Sequence, residues 1–288
     1  TQSSGQLSTR FEGIAQGLAE KSDAPLKRGN TNGKYYAGID SGSTTTNFVA
    51  LDADGNIVAS SIVRTGANAA AGAKKAIAQA GLDEGELIYT VATGYGRKNI
   101  VFADEGITEI TCHAKGAHFL DPLADTIIDI GGQDSKIIRL DADGGVKSFS
   151  MNDKCAAGTG RFLENMAKVL EMSIDDMAVR GLNYDKDITI SSMCTVFAES
   201  EVVSLIADNV STQDIIHGLN KSVAAKTKPL LGRADESSRL IMTGGVANNR
   251  GVVSEIEELT GKTVNIPESP DLCGALGAAL FALEKHRA

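Results

Sequence analysis

The chain writes one short pattern twice. An apolar run, Tyr36 to Ile39, ends at Asp40, turns through Ser41-Gly42-Ser43-Thr44-Thr45-Thr46 and returns as the run Asn47 to Leu51. The turn Asp52-Ala53-Asp54-Gly55-Asn56 follows. Further along, Ile127 to Ile130 carries Asp129 into Gly131-Gly132-Gln133-Asp134-Ser135 and returns as Lys136 to Leu140, followed by Asp141-Ala142-Asp143-Gly144-Gly145. Short apolar runs bounded by Gly, Ser and Asp turns read as β-hairpins. A hairpin unit repeated within one chain points to two related lobes. A ligand then belongs in the cleft between them.

The intervening segments give an α/β fold. Strands are expected over Ile57 to Arg64, Ile88 to Ala92, Val146 to Met151 and Leu240 to Met242. Helices are expected over Ala67 to Ala80, Thr159 to Leu170, Ala198 to Asp208, Thr212 to Leu231 and Cys273 to Leu283. Three segments result: an N-terminal extension or linker over 1–34, a first lobe over 35–145 and a second over 146–288. Within the first segment, Arg10 to Glu20 has the spacing of one short amphipathic helix, and Lys21 to Gly33 is charged and turn-rich.

Bulk properties narrow the function classes. A formal net charge of −9 over 288 residues argues against a nucleic-acid surface, which needs a basic stripe. No apolar run approaches the ~20 residues of a membrane-spanning helix. No signal-peptide pattern opens the chain. Four widely spaced cysteines, Cys112, Cys155, Cys194 and Cys273, do not make a secreted disulfide framework, so a reducing, cytoplasmic location is expected. Tryptophan is absent, which argues against carbohydrate stacking platforms.

The two turns have the chemistry of phosphate loops. Glycine lets the backbone approach a polyphosphate, and the hydroxyls and turn N–H groups of Ser41, Gly42, Ser43, Thr44 and Thr45 can donate to phosphate oxygens. Asp40 suits a magnesium-bound water, because magnesium keeps most of its waters and uses few carboxylates. Asp129, Gly131, Gly132, Gln133, Asp134 and Lys136 repeat the arrangement. One carboxylate there would orient the attacking water, with Gln133 or Lys136 at the γ-phosphate. A single such loop reads equally well as a tight hairpin turn. Two at matching places, with a third at Thr243-Gly244-Gly245, argue against coincidence. There is no GxxxxGK[ST], so this is not a P-loop NTPase.

Two cysteines stand at the heads of predicted helices: Cys155 before Ala156-Ala157-Gly158-Thr159-Gly160, and Cys194 before Thr195-Val196-Phe197-Ala198. Helix N-termini stabilise thiolates and the sulfides of an inorganic cluster. Two thiolates are too few for a four-iron cluster, and a symmetric dimer supplies the missing pair. On spacing alone two ordinary buried cysteines remain the simpler reading, and a structural zinc across a dimer is a third.

The loops resemble the phosphate-1, phosphate-2 and adenosine motifs of the acetate and sugar kinase, heat-shock ATPase and actin superfamily. Within it the chain is similar to the ATP-dependent activators of 2-hydroxyacyl-CoA dehydratases, whose wider family includes benzoyl-CoA reductase ATPase subunits and double-cubane cluster protein reductases. The matching stretches are Gly38 to Thr44, Thr93 to Arg97, Glu109 to Ala117, Asp129 to Lys136, Asn152 to Glu164, Cys194 to Ser204, Met242 to Asn249 and Gly274 to Leu280. The resemblance implies a duplicated actin-like, ribonuclease H-like ATPase fold. It implies a homodimer with one [4Fe-4S] cluster between subunits, held by Cys155 and Cys194 of each. It also implies ATP/ADP with Mg2+ at the loops, with Lys221, Gly244, Gly245, Val246 and Asn249 among the nucleotide contacts. One low-potential electron then passes to a dehydratase-like or double-cubane-type metalloenzyme, and a ferredoxin or flavodoxin replaces it. Asp271-Leu272-Cys273 departs from the pattern, which usually has a glutamine followed by two variable residues. Gly5 to Glu12 is similar to the tail of the dehydratase catalytic subunits; a disordered leader is the other reading of that segment. Two other functions stand beside this one: a small-molecule kinase of the same superfamily, and a zinc- or thiol-stabilised nucleotide sensor.

Overall fold

Both hairpins form. The computed structural model describes residues 34–153, 156–191, 194–232 and 238–287. The helix read at Arg10 to Glu20, the linker after it and Cys155 lie outside these residues. β1 (Tyr35–Ser41) pairs antiparallel with β2 (Thr45–Leu51), and β2 pairs antiparallel with β3 (Ile57–Arg64). After α1 (Ala69–Gln79), β4 (Leu87–Thr93) and β5 (Glu105–Gly106) complete a five-stranded sheet of order β3-β2-β1-β4-β5. β1 and β4 run parallel, as do β4 and β5.

The second sheet repeats the first. After α2 (Glu109–Leu120), β6 (Thr126–Ile130) and β7 (Ser135–Leu140) form the second hairpin, and β8 (Val146–Asn152) lies beside β7 at the sheet edge. Four helices follow: α3 (Gly160–Val169), α4 (Ile174–Arg180), α5 (Thr195–Ala207) and α6 (Thr212–Leu231). Then come β9 (Leu240–Thr243), α7 (Arg250–Thr260), β10 (Val264–Asn265) and α8 (Cys273–Arg287). The order β8-β7-β6-β9-β10, with β9 parallel to both β6 and β10, matches the first sheet strand for strand.

The chain divides into two compact units. One takes the residues up to Leu123, Ala142–Val146 and those from Pro267 onward; the other takes Ala124–Asp141 and Lys147–Ile266. This differs from a boundary between residues 145 and 146. The second hairpin shares hydrogen bonds with β9, so it belongs with the second sheet. The last helix, α8, packs on β1, β2, β4 and α2, so it belongs with the first.

Each sheet is buried under helices of its own unit. In the first, small residues let α8 lie close to its neighbours. A Cβ on Gly38 of β1 would fall 1.9 Å from the Ala275 carbonyl oxygen, and one on Gly277 would fall 1.8 Å from that of Cys112. In the second, Ile128, Ile137, Phe162, Met166, Leu219, Met242 and Ile256 belong to one buried core. Burial of such side chains is the main favourable term in folding, at about 1.5–3 kcal/mol each.

Candidate active site

Asp40 stands at the end of β1, where the repeated hairpin puts it. It pairs in register with Asn47 on β2 and with Thr93 on β4. Its side chain is 10% exposed, and Oδ2 lies 3.6 Å from His113 Nε2 on α2. Two glycines press backbone against it. A Cβ on Gly94, which has φ +80°, would fall 2.5 Å from Asp40 Oδ1, and one on Gly274 would fall 2.3 Å from Oδ2. The turn beside it is closed by its own backbone. Gly42 N–H donates to the Thr45 carbonyl, and the Thr65 hydroxyl donates to the Gly42 carbonyl, each at 2.9 Å.

This loop holds buried polar atoms that its own fold does not satisfy. Ser41 Oγ, Thr44 Oγ1, Asn47 Oδ1 and Thr93 Oγ1 have no hydrogen-bond partner. Buried polar groups are normally paired, and leaving one unpaired costs about 1–3 kcal/mol. Hydroxyls and an amide oxygen around a buried carboxylate are the groups that a hydrated magnesium ion and phosphate oxygens would satisfy. The donor set therefore fits the magnesium nucleotide that the sequence implies.

The second loop repeats the geometry with different chemistry. Asp129 pairs in register with Lys136 on β7 and with Thr243 on β9, the positions of Asn47 and Thr93 in the first unit. Here the carboxylate is already engaged. Thr243 donates to Oδ1 at 2.9 Å, and Lys136 donates to Oδ2 at 3.2 Å. The same ammonium lies 2.8 Å from Asp134 Oδ2, on a lysine side chain only 2% exposed. The sequence offers Lys136 as a γ-phosphate contact. In the structure the amine turns inward, between two carboxylates. Gln133 at the tip is exposed. Gly131 and Gly132 accept at their carbonyls from the N–H groups of Gly160 and Arg161, each at 2.9 Å, which seats the head of α3 on the loop. Gly244, at φ +80°, is the counterpart of Gly94; a Cβ there would fall 2.5 Å from the Ile130 carbonyl oxygen.

The remaining predicted contacts lie in the second unit. Gly245 is exposed, and Val246 is buried in the turn after β9. Asn249 caps α7 by accepting from Val252 N–H, and donates to Asn220 Oδ1 at 3.3 Å. Lys221, on α6, is held at 2.6 Å by Asp187. That hydrogen bond raises the lysine's pKa and lowers the aspartate's. The same Asp187 meets the buried His217, whose other ring nitrogen lies 3.0 Å from Glu255. Glu201 accepts from the N–H and hydroxyl of Ser191.

Cys194 is an exposed thiol at the N-cap of α5. Its carbonyl accepts from Ala198 N–H, and its side chain makes no capping bond. The next turns expose a large apolar stripe: Val196 and Phe197 are 67% and 66% exposed, and Val203 and Ile206 follow. An exposed thiol on a helix N-terminus has the donor chemistry of a cluster ligand. The other two described cysteines differ. Cys112 and Cys273 are buried, and burial pushes the Cys112 thiol up to about 12, far from a thiolate at neutral pH.

A family model described as the BadF/BadG/BcrA/BcrD ATPase family matches residues 37–282. The chain belongs to this family. Among its BadF/BadG/BcrA/BcrD relatives, the activator of lactoyl-CoA dehydratase from Anaerotignum propionicum is 49% identical, over 87% of this chain and 98% of that protein. The crystal structure of component A of the Acidaminococcus fermentans (R)-2-hydroxyglutaryl-CoA dehydratase is 42% identical. It superposes with a TM-score of 0.82, covering 88% of this chain and 99% of that one. The 2-hydroxyisocaproyl-CoA dehydratase activator from Clostridium difficile, solved with ADPNP, gives 0.81 at 41% identity, over 88% and 96% of the two chains. The BadF/BadG/BcrA/BcrD chain described here is thus an ATPase with the actin-like duplicated fold, the fold class expected from its repeated hairpins.

Thr93 and Asn47 carry no role in the sequence reading. The signal for them was present. Thr93-Gly94 and Thr243-Gly244 repeat after matching strands, as the two aspartates do.

Proposed function

We propose that this ATPase is an activator that uses hydrolysis to inject a low-potential electron into a partner metalloenzyme of the 2-hydroxyacyl-CoA dehydratase or double-cubane type. The observation that carries the reading is the near full-length match to the lactoyl-CoA dehydratase activator. The exposed Cys194 at the head of α5 supports it. A kinase of the same superfamily would have no use for an exposed thiol at the head of α5.

Cys155 and Cys194 would hold the [4Fe-4S] cluster, with the same pair from a second copy completing four thiolates. When bound, the cluster supplies one-electron chemistry at low potential. The apolar stripe of α5 then belongs to the contact between copies. At the nucleotide, Asp40 would hold the hydrated magnesium ion, and Ser41, Thr44 and neighbouring turn amides would take phosphate oxygens. Asp129, ion-paired with Lys136 and held by the Thr243 hydroxyl, orients the attacking water. Gln133, exposed at its loop tip, is left to meet the γ-phosphate. Hydrolysis and electron release are coupled free energies, so nucleotide state alters partner docking and docking alters nucleotide affinity. A ferredoxin or flavodoxin resupplies the electron, and a reducing, cytoplasmic setting fits the thiol chemistry. Among the described residues no helix is long and apolar enough to cross a membrane.

Anaerobic purification tests this reading. The expected protein is brown, absorbs broadly in the blue, bleaches on reduction and hydrolyses ATP. A colourless ATPase holding zinc would favour the sensor, and a colourless protein that phosphorylates a small molecule would favour the kinase.

A further inference from the structure

Thr93 presents a buried hydroxyl whose one neighbouring partner is the Cys112 thiol. It is fully buried at the end of β4, and its Oγ1 has no partner among oxygen and nitrogen atoms. The thiol is a weak partner at best. Valine has the same shape, suits a strand at least as well and would bring no orphaned group. The fold alone therefore gives no reason for a hydroxyl here.

The second unit supplies the reason. Thr243 occupies the same place at the end of β9, opposite Asp129 in parallel register, as Thr93 is opposite Asp40. There the hydroxyl donates to carboxylate Oδ1 at 2.9 Å. A glycine at φ +80° follows each threonine, and each packs against the neighbouring aspartate's Oδ1. The two sites share their backbone and differ in the state of one hydrogen bond. They also differ in charge balance. Asp129 has the Lys136 ammonium 3.2 Å from Oδ2, whereas the matching residue beside Asp40 is the neutral Asn47 and Oδ2 faces instead the His113 imidazole, 3.6 Å away.

We infer that Thr93 is a positioning residue for the magnesium nucleotide, its hydroxyl donating to Asp40 Oδ1 once the ion engages that carboxylate. The bond already made by Thr243 in the second unit is the one Thr93 makes on loading. Lys136 supplies in the second unit the positive charge that magnesium brings to the first. The inference rests on the reading of Asp40 as the carboxylate that serves the magnesium nucleotide.

The test compares T93V, T93S and T243V in the full chain, with D40N as control. T93V is expected to lose about a hundredfold in kcat, with KM for magnesium-ATP nearly unchanged. T93S, which keeps the hydroxyl, is expected to stay near wild type. A second readout needs no activity: thermal unfolding without nucleotide. T93V is expected to melt at or above the wild-type midpoint, because it removes an unpaired buried group. T243V is expected to melt about 5 °C lower, because it removes a hydrogen bond to a charged acceptor. Wild-type turnover in T93V, or equal losses in T93V and T93S, would overturn the inference. So would a nucleotide-free T93V as destabilised as T243V, which would make the hydroxyl structural. Normal hydrolysis by D40N would instead remove the reading beneath it.

Discussion

Replacing Cys155 or Cys194 with alanine is expected to strip the protein of iron and leave ADP binding intact. Neither cysteine belongs to a phosphate loop or to the turn after β9. Cys194 is exposed at the N-cap of α5 and makes no side-chain capping bond, so truncating it removes no contact that the helix relies on. The usual cost of losing a cap, about 1 kcal/mol, does not apply to a residue that is not capping. A cluster shared by two copies loses two of its four thiolates in a single substitution, because the symmetry carries the change to both. The effect on iron is therefore near total and the effect on the fold small. Iron analysis of anaerobically prepared variants, with calorimetric titration of ADP, reads both. Wild-type iron in both single variants would sink the ligand assignment.

Asp40→Asn and Asp129→Asn are each expected to reduce ATP hydrolysis by about 10²–10³-fold while the visible spectrum survives. At Asp40 the substitution removes the charge that faces magnesium and leaves the neighbouring backbone in place. At Asp129 the charge count favours survival of the fold. Lys136 lies between Asp129 and Asp134, so removing one carboxylate leaves an ammonium with one partner, not a bare buried charge. Lys136→Met is the harsher change, since it leaves two buried carboxylates without their cation. Steady-state hydrolysis at saturating magnesium-ATP decides the matter. Normal turnover in both aspartate variants would place the chemistry elsewhere.

Much of this was legible from residue order. The hairpins were readable because strand, aspartate, glycine turn and strand is a local pattern, and its repetition put both aspartates at matching strand positions. The long helix α6 was readable over its whole length, Thr212–Leu231, because its apolar spacing is regular. α2 was not. Its buried face is Cys112, His113, Ala114, Gly116 and Ala117, small or polar residues that give no helical hydrophobic pattern. They are small because α8 crosses there, a fact about tertiary packing. α4 and α7 were also missed, and α5 begins at Thr195 where periodicity pointed to Ala198. The boundary at 145 went wrong for a related reason. Chain order does not reveal that α8 returns to the first sheet. In the site, sequence located charged residues but not the direction they face. Lys136 turns into a buried pair, and Lys221 is taken by Asp187, 34 residues away. Thr93 was invisible for the opposite reason: its interest lies in a bond that it does not make.

In the proposed activator one cluster is shared between two copies of the chain. Sedimentation of the anaerobic protein, with iron counted on the same sample, tests it most directly. The expected result is a dimer carrying about four iron atoms per pair of chains, shifting toward monomer on air exposure or chelation as cross-interface metal–thiolate bonds are lost. A monomer that keeps about four iron atoms on a single chain would contradict it, because Cys112 and Cys273 would then have to be ligands.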